Sequence, residues 1–177
     1  FNGHTDLLPM WVADMDFRTA PFILDAIRQR CENGILGYTC KPVSYYQAIE
    51  KWLLTRYNWR VSKELISFTP GIVPGIAFVL NCFTKPGDKV LVQTPVYHPF
   101  FLVTEHNHRE VVYNPLILEN GQYKMNLEHF KEVIKDCKLF ILCNPHNPGG
   151  RVWTKKELAA VAEICYDNGT LIISDEI

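Results

Sequence analysis

The spacing of hydrophobic and polar residues changes near residue 65. Before that point, apolar residues recur three and four positions apart in two stretches, residues 21–33 and 44–58. Pro21 begins the first stretch and Asn33-Gly34 ends it, as expected for the two ends of a helix. The pattern therefore predicts two helices, over 21–33 and 44–58, preceded by an irregular arm.

After residue 65, short apolar runs alternate with stretches of helical spacing. We predict strands over residues 65–69, 90–93, 111–113, 139–143 and 171–174, and helices over 72–83, 97–107, 126–135 and 154–168. Strands that alternate with helices indicate an α/β domain with a mostly parallel sheet. The run 139–143 is typical of a central strand that is covered on both faces. Glu119-Asn120-Gly121 predicts a hairpin turn.

Composition and charge exclude several classes of protein. The 177 residues are 47% hydrophobic and 21% charged, which is ordinary globular composition, and the net charge of −1 argues against a nucleic-acid-binding protein. No apolar run approaches the ~20 residues of a membrane span, so we expect no membrane partner. The six cysteines form no CxxC pair, which excludes zinc-finger spacing and gives no metal site. We interpret them as reduced, buried cysteines of a cytoplasmic protein, with Cys82, Cys143 and Cys165 in apolar surroundings.

Both ends of the chain are unusual for a complete domain. The sequence opens in a polar turn without Met and stops at Ile177, directly after an apolar run. We therefore expect a fragment of a longer polypeptide.

The carboxyl ends of the predicted strands carry the residues that suggest chemistry, as α/β sheets bind ligands there. Thr69-Pro70-Gly71 leads into a helix whose first amides, those of Ile72 and Val73, could bind a phosphate. The alternative is a plain strand–turn–helix. The turn is neither a Walker A loop nor GxGxxG, so neither ATP nor NAD is indicated.

Two further segments follow strands. Tyr97 comes after the 90–93 run and could stack on a flat ligand, or be an ordinary rim aromatic. Residues 144–151 contain two Asn-Pro pairs around His146, and prolines make such a loop rigid enough to aim an amide side chain such as that of Asn147. For His146 itself we expect a role in packing the loop.

The last apolar run ends in Ser174-Asp175-Glu176. A carboxylate that emerges from a buried strand needs a positive partner, because an unpaired buried charge is costly. A protonated heterocyclic nitrogen would serve as that partner. The alternatives are that Asp175 caps the next helix or pairs with an arginine.

Taken in order, these motifs resemble a known family. The set Tyr38, Thr69-Pro70-Gly71, Tyr97, Asn147-Pro148-Gly149-Gly150-Arg151 and Ser174-Asp175-Glu176 is similar to the fold-type I, pyridoxal-phosphate (PLP) dependent class I/II aminotransferase family. The arm Leu8–Phe17, together with Gly37-Tyr38-Thr39, resembles the MalY/PatB-type cystathionine β-lyase branch. The resemblance runs from Leu8 to the last residue.

The resemblance implies a fold and a division of the chain. We expect the three-layer α/β large domain of the PLP-dependent transferases, incomplete in this chain. Residues 1–40 would form an arm and helix for substrate and dimer contacts, and residues 41–177 the first part of the PLP-binding large domain. The lysine that binds the cofactor covalently and the small domain with the carboxylate-binding arginine would lie beyond Ile177; Lys155 and Lys156 are expected to be solvated instead.

The resemblance also implies roles for the site residues. Asp175 would pair with the pyridine nitrogen of PLP, Asn147 would bond its ring hydroxyl, and Tyr97 would stack on the ring. The amides of Ile72 and Val73, placed by Gly71, would bind the phosphate.

Two further roles concern dimerisation and substrate. Tyr38 would reach the phosphate in the other subunit of a homodimer, and the arm at Val12-Ala13 would lie near the carboxylate of a small amino-acid substrate.

Three functions remain compatible with these residues. The first is a carbon–sulfur β-lyase that converts cystathionine or cysteine-type amino acids to pyruvate, ammonia and a thiol. The second is an aminotransferase that uses the same cofactor site. The third is a non-catalytic relative that binds a protein partner. The arm and Gly37-Tyr38-Thr39 favour the lyase.

Overall fold

A computed structural model describes residues 3, 6–8 and 17–176 of the chain. The chain divides into two compact units, residues 1–66 and 67–177. The functional division at residue 40 that the resemblance implies is a different boundary, and it stays a prediction.

The first unit contains the two predicted helices. Helix α1 spans Pro21–Glu32, with proline in its first turn, and helix α2 spans Val43–Tyr57. Asn58 ends α2 in the left-handed conformation, at φ 51°. Neither helix buries a residue completely among the described part of the chain.

The second unit alternates helices and strands. Its helices are α3 (Ile72–Phe83), α4 (Pro99–His106), α5 (Leu127–Val133) and α6 (Lys155–Asp167). Its strands are β1 (Lys89–Val92), β2 (Glu110–Tyr113), β3 (Ile117–Glu119), β4 (Gln122–Lys124), β5 (Cys137–Cys143) and β6 (Leu171–Asp175).

Four of these strands form one parallel sheet, in the order β2-β1-β5-β6. The register pairs Val92 of β1 with Ile141 of β5, and Cys143 of β5 with Asp175 of β6. Strands β3 and β4 form a separate antiparallel hairpin, whose turn at Asn120-Gly121 has positive φ at both residues. The predicted parallel sheet and the predicted hairpin are therefore confirmed.

Helices cover both faces of the sheet. Alternate residues of a strand point to opposite faces, and Val90 and Val92 belong to one core cluster while Leu91 belongs to the other. The cluster that contains Val90 and Val92 also includes residues of α3 and α4. The cluster that contains Leu91 also includes residues of α5 and α6. The second unit is therefore a helix–sheet–helix sandwich, the three-layer α/β architecture that the family resemblance implies.

Two expectations from the sequence are wrong. Residues 65–69 belong to no described strand, because Leu65 closes a 3-10 turn by donating its amide to the Ser62 carbonyl at 3.0 Å and the sheet is bounded by β2 and β6. Cys31, Cys40 and Cys82 are exposed rather than buried, and Cys82 lies two residues beyond the buried Leu80 and so on the opposite side of α3. All six cysteines are free thiols, and Cys143 and Cys165 are buried as expected.

Candidate functional site

The carboxyl ends of β1, β5 and β6 lie side by side, because the three strands are parallel neighbours. The amide of Asn144 donates to the Asp175 carbonyl at 3.0 Å, which joins the ends of β5 and β6. The His146 Nε2 lies 2.7 Å from the Pro95 carbonyl, which joins the loop after β5 to the loop after β1. The structure thus brings together the segments that carry Tyr97, Asn147 and Asp175.

The loop after β5, residues 144–151, is held by hydrogen bonds along its whole length. The side-chain oxygen of Asn144 accepts from the Trp153 amide at 3.0 Å. His146 exchanges two backbone bonds within the loop, with Gly150 and Arg151, both at 2.7 Å. The side chain of Asn147 is exposed, so the rigid loop presents this amide to solvent at the carboxyl edge of the sheet.

The loop after β1, residues 94–97, is anchored on its other side. The buried Gln93 donates to the Asn114 side chain at 3.1 Å, and the Leu116 amide donates to the Thr94 carbonyl at 2.7 Å. Sequence reasoning did not single out Gln93. A polar residue at the end of the apolar β1 run is the signal that could have identified it.

Tyr97 is 39% exposed, and its ring packs against that of Phe100. The two rings meet edge to face, with centroids 5.6 Å apart. His98 lies beside Tyr97 with its ring tilted by 59°. Tyr97 therefore offers an aromatic surface at the same sheet edge as Asn147.

Asp175 is half-buried at the end of β6. Burial, and secondarily the negative charge of Glu176, raise the pKa of the Asp175 carboxyl above its ordinary value. No ion pair within the described residues includes Asp175, so the arginine partner considered from the sequence is not found there. A half-buried carboxylate without a cationic partner is energetically unfavourable, so a cationic ligand would stabilise the charged form of Asp175.

Arg151, the nearest arginine in the sequence motif, is engaged elsewhere. Its guanidinium donates to Glu157 at 2.8 Å and lies 5.1 Å from the centre of the Trp153 ring. Glu157 also accepts from the amide and hydroxyl of Thr154, in the capping box that begins α6. Sequence reasoning missed Glu157, although the Thr-x-x-Glu spacing is a known capping signal.

The turn into α3 offers backbone amides. Gly71 caps the helix, and the first intrahelical bond runs from the Gly75 amide to the Gly71 carbonyl at 3.0 Å. The amides of Ile72 and Val73 come before that bond, where a helix leaves its N–H groups without intrahelical acceptors. Val73 packs against the core cluster that joins α3 to the sheet, and α3 ends at Phe83 shortly before β1 begins at Lys89, so the start of α3 lies toward the carboxyl end of β1.

The remaining predicted residues lie in the first unit. Tyr38 is fully exposed there, on a segment without regular secondary structure. Val12 and Ala13 lie outside the described residues. Lys155 and Lys156, expected to be solvated, are exposed at the start of α6.

The donor and acceptor groups at this edge fit PLP. Helix-terminal amides suit its phosphate, an exposed asparagine suits its ring hydroxyl, and Asp175, which has no ion-pair partner among the described residues, suits its protonated ring nitrogen. Among residues 3, 6–8 and 17–176, no group of three His, Cys, Asp or Glu side chains could hold a metal ion. The same residues include no helix that is both long and apolar enough to cross a membrane.

Comparison with known proteins gives concordant matches. The family "Aminotransferase class I and II" matches residues 7–177. Cystathionine β-lyase PatB of Bacillus subtilis is 44% identical over 177 residues, which are 99% of this chain and 46% of PatB. The chain thus spans about half the length of this relative.

Two solved structures share the fold. The PLP-bound C–S lyase of Staphylococcus hominis superposes with a TM-score of 0.86 at 42% identity, over 95% of this chain and 44% of that protein. Cystalysin of Treponema denticola, which contains PLP, superposes with a TM-score of 0.87 at 32% identity, over 98% of this chain and 45% of that protein.

Proposed function

Because the chain belongs to the class I and II aminotransferase family, we propose that it forms the cofactor-binding part of a PLP-dependent carbon–sulfur β-lyase. The whole enzyme would cleave cystathionine or a cysteine-type amino acid to pyruvate, ammonia and a thiol. The observation that carries the proposal is the half-buried Asp175, without an ion-pair partner in the described chain, beside the rigid Asn147 loop.

Bound PLP would supply an electron-withdrawing ring that stabilises negative charge at the substrate α-carbon. Asp175 would hold a proton on the ring nitrogen, since an opposite charge nearby favours the protonated form. Asn147 would bond the ring hydroxyl and Tyr97 would cover one face of the ring. The amides of Ile72 and Val73, after Gly71, would bind the phosphate.

Tyr38 supports a homodimer as part of the proposal. It is fully exposed on a segment outside the second unit, so its hydroxyl is accessible to a second subunit. We assign its hydroxyl to the phosphate in the other subunit. Val12 and Ala13 would face the carboxylate of the substrate. Sedimentation of the full-length protein tests the dimer, and an active monomer would contradict it.

The similarity to named lyases favours β-elimination over amino transfer. PatB and the S. hominis C–S lyase share 44% and 42% of their aligned residues with this chain. The cofactor residues themselves would serve either reaction. We place the enzyme in the cytoplasm because its cysteines are free thiols, as in reducing compartments.

The direct test is an assay of the full-length protein with cystathionine. We expect pyruvate release without an added keto acid, together with absorbance of protein-bound PLP. Amino transfer that requires a keto acid and yields no pyruvate would identify an aminotransferase instead. PLP binding with neither activity would identify the non-catalytic alternative, and failure to bind PLP would contradict the proposal as a whole.

A further inference from the structure

His146 connects two loops that are distant in sequence. Its imidazole is 2% exposed, and its Nε2 lies 2.7 Å from the carbonyl of Pro95, fifty-one positions away. Tyr97 follows Pro95 by two residues, and Asn147 follows His146 directly. One hydrogen bond therefore lies between the backbone that carries the aromatic ring and the backbone that carries the amide.

The contact determines which nitrogen of His146 carries the proton. A carbonyl oxygen only accepts, so Nε2 must donate. Nδ1 is buried and has no hydrogen-bond partner among the described residues, so a proton there would have no acceptor. The imidazole is therefore a fixed donor to Pro95.

Packing holds the ring in that orientation. The Trp153 ring meets the imidazole edge to face, with centroids 5.4 Å apart. Gly149 lies close to the ring, since a methyl group on its Cα would come 3.0 Å from the His146 Cδ2 and 3.0 Å from the Tyr123 ring. Because the ring has so little free space, a movement of the loop after β5 would also displace the loop after β1.

We propose that His146 is a positioning residue that sets the distance between Tyr97 and Asn147 across the PLP ring. The inference rests on the proposed function, because it assumes that both residues contact PLP. It assigns no proton transfer to His146. Removal of its donor leaves the Pro95 carbonyl without its partner and lets the two loops move apart.

Two substitutions separate the hydrogen bond from the volume of the side chain. His146→Phe keeps an aromatic ring beside Trp153 but removes the donor. His146→Gln keeps an N–H group at a similar reach and should restore much of the contact. Thr170→Val is the matched control, because the Thr170 hydroxyl also donates across two segments to a backbone carbonyl, that of Cys137 at 3.0 Å, at the opposite end of β5 and β6.

The first measurement uses the full-length protein without PLP. Amide hydrogen exchange in the segments around Leu116 and Gly150, whose amides donate to the carbonyls of Thr94 and His146, should be about tenfold faster in His146→Phe, the effect of losing a contact worth ~1.4 kcal/mol. The same segments should be unchanged in Thr170→Val and close to wild type in His146→Gln. Unchanged exchange in His146→Phe would overturn the inference, whatever the protein binds.

The second measurement is PLP affinity, by absorbance titration of the same variants. The dissociation constant of His146→Phe should rise about tenfold, with recovery in His146→Gln. Faster exchange with unchanged affinity would show that His146 joins the loops without positioning the cofactor site, and would also overturn the inference. A wild-type protein that binds no PLP would instead contradict the proposed function, which the exchange data do not depend on.

Discussion

The candidate cofactor site would contact the ring of PLP through side chains and its phosphate through backbone amides. On the ring side, the side chains of Tyr97, Asn147 and Asp175 would make the contacts, and a network of hydrogen bonds holds the loops that carry them. On the phosphate side, the backbone amides of Ile72 and Val73 would make the contacts, and the N-terminus of α3 supplies them.

This difference predicts different responses to substitution. A side-chain contact is lost when the side chain is changed, and a crowded loop is displaced by one added methyl group. A backbone amide survives almost any substitution that leaves the helix in place. The ring side should therefore be sensitive to single changes and the phosphate side tolerant.

Asp175→Asn should have the largest effect. An asparagine cannot hold the proton on the ring nitrogen, so kcat should fall at least about a thousandfold, a barrier increase of ~4 kcal/mol. The fold should be retained, because an amide replaces a carboxylate of the same shape. Steady-state pyruvate release measures the effect, and Asp167→Asn, at the exposed end of α6, is the control. Near-normal turnover of Asp175→Asn would remove Asp175 from the site.

Adding a methyl group should distinguish the two sides directly. Gly149→Ala would place a Cβ 3.0 Å from both the His146 and Tyr123 rings, so we expect PLP to bind about tenfold more weakly. Gly75→Ala would meet one side chain, that of Thr69, with its hydroxyl at 3.1 Å and its methyl group at 3.4 Å, and alanine favours a helix over glycine by ~0.5–1 kcal/mol. Its affinity for PLP should stay within about twofold of wild type. Equal losses in both variants would contradict the comparison.

Ile72→Ala should change PLP affinity by less than about threefold, or ~0.7 kcal/mol. The Ile72 side chain is 63% exposed, and the substitution leaves its amide at the start of α3. Asn147→Ala, in which the side chain is the contact, is the matched variant on the ring side and should weaken binding more. PLP titration of the pair ranks them, and a larger loss from Ile72→Ala would show that side chains also bind the phosphate.

Glu176→Gln should have the smallest effect. Burial is the main cause that raises the pKa of Asp175 and Glu176 the second, so the substitution should lower that pKa while leaving it above its ordinary value. Because the pKa of Asp175 is higher in the folded than in the unfolded protein, this group contributes stability at pH values below its unfolded-state pKa. That contribution is lost as the pH rises through its folded-state pKa. NMR titration of the Asp175 carboxyl in the protein without PLP measures the shift. A pKa that rises in Glu176→Gln would contradict this cause.

Local signals made much of the fold predictable. Pro21 and Asn33-Gly34 bound α1 within one residue of the prediction, and Asn120-Gly121 forms the expected hairpin turn. Both signals act over a few residues, through a fixed φ or a positive φ. The run 65–69 misled because its apolar residues satisfy a strand pattern, whereas a strand also needs a neighbour to accept its hydrogen bonds.

The candidate site was predictable in position but not in its internal contacts. The rule that ligands bind at the carboxyl ends of parallel strands pointed to Tyr97, Asn147 and Asp175 without any distance. The His146–Pro95 bond depends on how two segments that are distant in sequence meet in space, so no spacing in the sequence encodes it. The Arg151–Glu157 pair lies within one segment, but the sequence alone does not show that Arg151 bonds Glu157 rather than Asp175, so an arginine partner for Asp175 stayed an open alternative.

The His146–Pro95 contact also has a consequence for the order in which the site forms during folding. The Arg151–Glu157 pair joins residues six apart and can form as soon as that segment leaves the ribosome, whereas His146 must find a residue fifty-one positions earlier. Closing so long a segment costs more chain entropy, and that cost is met once β1 and β5 have paired. The Asn147 loop should therefore acquire its shape early and its place beside Tyr97 late, so that the nascent chain becomes competent to bind its cofactor only when the sheet is assembled.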